Sequence, residues 1–154
     1  MNYPRYQTLT VSPDYTIYTF TSSGLKGDFE IEVQFIPIED TNYYNLGFGA
    51  LDDNRQIDDT IVLNNGDRDK ILATVAGFVK EFLDKYTKAR VAFTGSTPSR
   101  TRLYRRALSL NLDELNKVFE ISGFPEEDES ILETFNPSII YVAFVVNKRT
   151  TFEV

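Results

Sequence analysis

The chain has 154 residues, 42% of them hydrophobic and 14% aromatic, with no cysteine and no histidine. That suits one folded domain over residues 1–154 with a ring-rich core; it excludes disulfides, thiolate metal sites and every Ser-His-Asp or Cys-His catalytic scheme. The formal charge is −7, yet Lys85, Lys88, Arg90, Arg100, Arg102, Arg105 and Arg106 fall in a stretch, residues 85–112, that holds no acid: a basic island on an acidic body.

The start of the chain, residues 1–10, is polar and mixed, unlike a signal peptide, and no apolar run approaches a membrane span. The expectation is a cytoplasmic protein with no membrane contact. Residues 15–22 are rich in Tyr, Thr, Ile and Phe and read as a strand, closed by a turn over Ser23, Gly24, Leu25, Lys26 and Gly27. Phe29, Ile31, Val33 and Phe35 then alternate with Glu30, Glu32 and Gln34, a strand with one dry and one wet face. A third strand covers residues 44–51, a turn follows at Asp52, Asp53, Asn54 and Arg55, and a fourth strand covers residues 56–63.

Asn65 or Asp67 is placed to cap a helix that runs to about Tyr86. Its apolar residues Ile71, Leu72, Val75, Phe78, Val79, Phe82, Leu83 and Tyr86 recur at spacings of mostly three and four, one wide stripe. Residues 90–94 form a short strand, Gly95, Ser96 and Thr97 a tight turn, and Pro98 the first position of a second helix reaching about Leu108. Asn111 followed by Glu114 resembles a new cap, so the helix is expected to break there and resume to Phe119. Gly123, Phe124, Pro125 and the acids of residues 126–129 read as a loop. Residues 139–146 read as a central strand buried on both faces. The fold class is therefore α+β: a four-stranded antiparallel meander followed by helix-strand-helix-strand, a single layer of sheet covered by helices.

One segment carries chemistry. A strand runs through a small-residue turn directly into a helix across residues 91–106, and a helix start presents unpaired N–H groups and the positive end of its dipole. Gly95 lets the backbone approach closely; Ser96, Thr97, Ser99 and Thr101 add hydroxyls; Arg100 and Arg102 lie in the first turn, with Arg105 and Arg106 one turn on. Guanidinium groups suit paired contacts to phosphate or carboxylate. These nine residues are the candidate ligand-binding set. The second glycine and the lysine of a nucleoside-triphosphate loop are missing, and the sequence calls for no cofactor and no catalytic residue. The same residues also describe a plain structural corner, with Ser or Thr before Pro as a cap and surface arginines paired to acidic loops.

Asp52, Asp53, Asp58 and Asp59 flank the third hairpin and could supply oxygen ligands to Mg²⁺ or Ca²⁺, but turns favour Asp in any case, and no metal site is assigned. Tyr15, Tyr18, Phe20, Tyr43, Tyr44 and Phe48 could form a stacking platform for bases or simply pack the sheet. Glu30 and Glu32 on the wet strand face oppose the first role.

The runs Ser23-Gly24-Leu25-Lys26-Gly27, Gly66-Asp67 leading into Ile71-Leu72-Ala73-Thr74-Val75, and Phe93-Thr94-Gly95-Ser96-Thr97 with Ser99-Arg100-Thr101-Arg102-Leu103-Tyr104 resemble a family of small uncharacterised bacterial proteins of Bacteroidetes type. The last run is the specific one, and the resemblance implies no established activity. Four antiparallel strands before a helix are also similar in architecture to the Whirly and PC4 group of single-stranded DNA-binding regulators. The functional expectation is a non-enzymatic module whose partner is an anionic small molecule, a nucleic acid or an acidic protein surface. The alternative is single-stranded nucleic-acid binding. A third reading is metal-assisted phosphoryl transfer with Asp58 or Asp59 and the clamps Arg100 and Arg102.

Overall fold

The register of the strands explains the core. In the computed structural model, which describes residues 4–58 and 65–150, strands β1 (Thr10–Val11), β2 (Ile17–Gly24), β3 (Gly27–Pro37) and β4 (Tyr43–Leu51) pair in sequence, each antiparallel to the last. Tyr18 lies opposite Val33 and Val33 opposite Phe48; Phe20 lies opposite Ile31 and Ile31 opposite Ala50. Antiparallel partners share a face, so the alternation collects these side chains on one side of the sheet, where all are buried. Glu30, Glu32 and Gln34 fall on the other side.

Helix α1 (Arg68–Lys85) covers the apolar face with the stripe expected of it. Phe78 stacks on Tyr18 with ring centroids 4.5 Å apart, and Phe82 stacks on Phe35 at 4.2 Å. The helix also serves topology. Strand β6 (Arg90–Phe93) pairs with β4 in parallel, Tyr43 opposite Arg90 and Asn45 opposite Ala92, and a parallel pair needs a crossover of this kind. Helix α2 (Pro98–Leu110) and the single-turn α3 (Leu112–Leu115) follow, then β7 (Phe119–Pro125), β8 (Glu133–Thr134) and β9 (Tyr141–Lys148). The sheet order is β1-β2-β3-β4-β6-β9-β7-β8. The fold is α+β, one mostly antiparallel open sheet with helices packed on it. Among the described residues no helix is long and apolar enough to cross a membrane.

The fourth expected strand survives as β5 (Ile57–Asp58), paired with Ala50 and Leu51; its remainder, residues 59–63, lies outside the described residues. Several expectations are corrected. The second helix does break at Asn111, but the Asn111 side chain makes no cap bond to the next turn and instead donates to the Ala107 carbonyl at 2.8 Å. The resumed helix is one turn, and Phe119 opens a strand rather than ending a helix. Gly123, Phe124 and Pro125 are not a loop: they finish β7, beside β9, with a bulge at Phe124 and Pro125. Gly123 is the position over which the Tyr141 ring lies. The last strand begins at Tyr141, two residues later than read, and sits between β6 and β7. Its central residues Phe144, Val145 and Val146 are buried, whereas Val142 and Ala143 are half-buried.

Asp67, not Asn65, occupies the cap position of α1, and it makes no side-chain bond to the helix. Its Oδ2 instead accepts from the Ser22 hydroxyl at 2.6 Å and from the Tyr6 hydroxyl. Asn65 is fully buried and holds the β2–β3 turn: its Oδ1 accepts from the Lys26 N–H at 2.7 Å, and its amide donates to Ser22 Oγ and the Gly27 carbonyl. Two of the short runs singled out in the sequence, residues 23–27 and Gly66-Asp67, are thus one clasp between a hairpin tip and a helix start. Burial, together with the Asp67 carboxylate, pushes the Tyr6 hydroxyl above its ordinary value.

Candidate functional site

The basic turn begins where β6 ends. Thr94 fixes the exit by donating from Oγ1 to the Val142 carbonyl of β9 at 2.7 Å. Gly95 then presses against the first turn of α2; a Cβ there would come within 2.5 to 2.7 Å of Thr101 N, Arg100 Cβ and Arg100 C. Its N–H donates to Thr101 Oγ1 at 3.1 Å, and that hydroxyl donates to the Thr97 carbonyl at 3.2 Å. Gly95 and the buried Thr101 therefore lock the turn onto its own helix. The close approach that glycine allows is to α2, not to outside space.

Thr97 caps α2 from an extended conformation, its hydroxyl accepting from the Arg100 N–H at 3.3 Å. Pro98 supplies no N–H. Of the first-turn N–H groups, the one at Ser99 has no partner among the described residues.

The arginines fold back over this end. Arg100 donates through Nη1 to Ser96 Oγ at 3.2 Å and Thr97 Oγ1 at 3.3 Å; Arg102 donates through Nη2 to Ser99 Oγ at 3.2 Å. The ion pairs among the described residues are Arg68 with Asp69, and Lys80 and Lys148 with Asp84. None involves α2, so among the described residues Arg100 and Arg102 face neutral hydroxyls and no acid. The two remaining arginines are not brought to this point. Arg105 donates to the Ile139 carbonyl at 3.2 Å and ties α2 to the segment before β9, while Arg106 is exposed further along the helix. The cluster that the structure assembles is Ser96, Thr97, Ser99, Arg100 and Arg102, braced by Gly95 and Thr101.

The chain belongs to DUF6934, a family of unknown function. The family model matches residues 2–149. No curated protein and no solved structure matches the chain.

The other candidates of the sequence resolve differently. Tyr18, Phe20 and Phe48 are buried in the core, and Tyr44 packs edge-on against Phe82 at 4.9 Å. These four rings are used up beneath α1 and α2. Tyr43 lies under the Arg90 guanidinium and Tyr15 under the Lys85 amine. Asp52 is a turn residue, its Oδ1 accepting from the Asn54 and Gln56 N–H groups at 2.9 and 2.8 Å. β5 pairs on the edge of β4 that faces away from β3, the same edge that β6 uses. Asp58 and the basic turn therefore share one edge of β4, at the carboxyl ends of β4 and β6; Asp59 lies outside the described residues. No group of three or more acids among the described residues could hold a metal ion.

Sequence reasoning did not find an apolar cavity of ≈ 90 Å³ beneath the helices. Leu72, Val75, Ala76 and Val79 of α1 form one wall, Tyr104, Ala107 and Leu108 of α2 the other, and Phe93 of β6 part of the floor. The only trace in the sequence is a small residue, Ala76 and Ala107, on each of two helices. Which stripes face each other depends on how α1 and α2 dock.

Proposed function

We propose that the protein is a non-enzymatic binding module for a small anionic ligand, a phosphate or carboxylate group held at the start of α2. The observation that carries this reading is the state of Arg100 and Arg102. Among the described residues both are bonded to neutral hydroxyls and to no acid, both lie beside a helix start, and the Ser99 N–H between them has no partner. A helix end of this kind favours negative charge by about 0.3–1 kcal/mol from its dipole alone, and each charge-assisted hydrogen bond adds about 1.5–3 kcal/mol. The exchange required is modest, since the present guanidinium contacts are long and to uncharged acceptors. The location supports the reading as well. Ligands gather at the carboxyl ends of strands in sheets with parallel pairs, and β4 and β6 are such a pair.

The burial of Tyr18, Phe20 and Phe48 favours a compact anion over a stacked single strand, because those rings have no free face for a base. The test is a thermal-shift titration with inorganic phosphate and ADP. Protection that disappears in Arg100→Ala supports the reading. An unchanged melting temperature across a panel of phosphates and nucleotides contradicts it.

A further inference from the structure

The apolar cavity and the basic turn adjoin each other, and the chain itself sets their separation. Phe93 is the last residue of β6, Tyr104 lies in the second turn of α2, and both line the cavity with their ring centroids 5.9 Å apart. Residues 94–103, the basic turn and the start of α2, are the segment that closes between these two rings. Arg100 is one helical turn before Tyr104, and residues four apart on a helix are neighbours with Cβ atoms about 5–6 Å apart. The Arg100 guanidinium, now bonded at 3.2 and 3.3 Å to two neutral hydroxyls, is long enough to turn toward the Tyr104 side of the cavity.

The cavity is lined by α1, α2 and the sheet, and its lining is carbon almost throughout: Leu46, Phe48, Val75, Phe93 and Leu108 among others. Cores pack to near-crystalline density, so a void of this size between two helices has a specific origin. Ala76 and Ala107 face it from opposite walls where longer side chains would close it. An apolar void on its own stays dry and takes apolar atoms. A cationic group one helical turn from a residue of its lining, as Arg100 is from Tyr104, would select what those atoms are attached to.

We propose that the ligand of this site is a small amphiphilic anion: an anionic head at Ser99, Arg100 and Arg102, with a short unbranched apolar tail entering the cavity between Ala76 and Ala107. The proposal rests on the anion-binding reading above and adds the tail and its path.

The experiment is isothermal titration of the full chain with acetate, butyrate, hexanoate and octanoate, and with inorganic phosphate as a tail-less control. Burial of each methylene should tighten binding about fourfold from acetate until the cavity is full. Ala107→Leu should flatten that series and leave the response to phosphate unchanged; Ala76→Leu fills the same space from the other wall, so either variant serves if the other fails to fold. Arg100→Ala should weaken every member of the series. A flat series in the unmodified protein with phosphate still binding overturns the tail and leaves the anion site standing. A chain-length dependence indifferent to Arg100→Ala overturns the link between cavity and turn. No binding by any probe overturns both readings.

Discussion

Gly24 lies directly against Asn65: a Cβ on Gly24 would overlap the Asn65 carbonyl oxygen and meet its side-chain amide at 2.8 Å. The Leu25 N–H donates to that same carbonyl at 2.9 Å. Neither residue tolerates change, for different reasons. Gly24→Ala forces the hairpin tip away from the start of α1, an overpacking that costs about 1–3 kcal/mol. Asn65→Ala leaves the Lys26 N–H and the Gly27 carbonyl without their partner, at about 1–3 kcal/mol for a buried orphaned group. Urea denaturation is expected to show both losses, with unchanged dependence on phosphate, because the clasp is remote from the basic turn in the chain. A stability equal to the parent for Asn65→Ala would contradict the role given to its amide.

Tyr18 offers the opposite sign. Its ring is fully buried and its hydroxyl has no hydrogen-bond partner among the described residues. Burial pushes that hydroxyl well above the ordinary tyrosine range, with Glu81 contributing. Tyr18→Phe removes the orphaned hydroxyl and keeps the stack on Phe78, so an increase of about 1 kcal/mol in unfolding free energy is expected. Destabilisation in the same denaturation experiment would show that the hydroxyl has a partner.

Asp84 joins α1 to the sheet through Lys148 of β9, at 3.1 Å, and also pairs with Lys80 at 2.8 Å. The hydrogen bond from Lys80, with a second from Lys148, holds its carboxyl below the ordinary aspartate value. A carboxyl depressed in the folded state stabilises the fold above its unfolded value and loses that contribution as pH falls through the folded value. Asp84→Asn is therefore expected to cost about 0.2–1 kcal/mol at pH 7, the usual range for an exposed pair, and the cost is expected to vanish once pH has fallen through the folded-state value. The check is the difference between the two unfolding curves as a function of pH. A gap that persists in strong acid would assign the effect to something other than charge.

The legible parts of the fold were those with a period. Strict alternation in residues 29–35 and the stripe from Ile71 to Tyr86 announced β3 and α1, and Thr97 before Pro98 announced the start of α2. β7 was missed because Gly123 and Pro125 are turn residues by type. In the fold, Gly123 makes room for the Tyr141 ring, and Pro125 sits at the strand's end beside a bulge; both reasons are tertiary. The break at Asn111 was visible, but not its length, since α3 ends where Phe119 must enter the sheet. At the candidate site the residue types were readable and their division of labour was not. Thr101 and Gly95 turned inward to brace the turn, Arg105 went to the Ile139 carbonyl, and only Ser96, Thr97, Ser99, Arg100 and Arg102 remained together.

Thr97 separates bracing from binding. Its hydroxyl caps the Arg100 N–H and also accepts from the Arg100 guanidinium. Thr97→Ala is expected to lower stability by about 1 kcal/mol, while Thr97→Ser keeps the cap and the parental stability. The measurement is the denaturation midpoint of each variant; equal loss in both would remove the cap as its cause.

The most direct test of the anion site reads the Ser99 amide itself. In a nitrogen-15 correlation spectrum titrated with inorganic phosphate, the Ser99 N–H is the first-turn group without a partner among the described residues, so its signal is expected to move most and to saturate. The same titration of Arg100→Ala is expected to leave it in place. A Ser99 signal that stays fixed while amides elsewhere respond would contradict the account, and would leave the basic turn a structural corner of the fold.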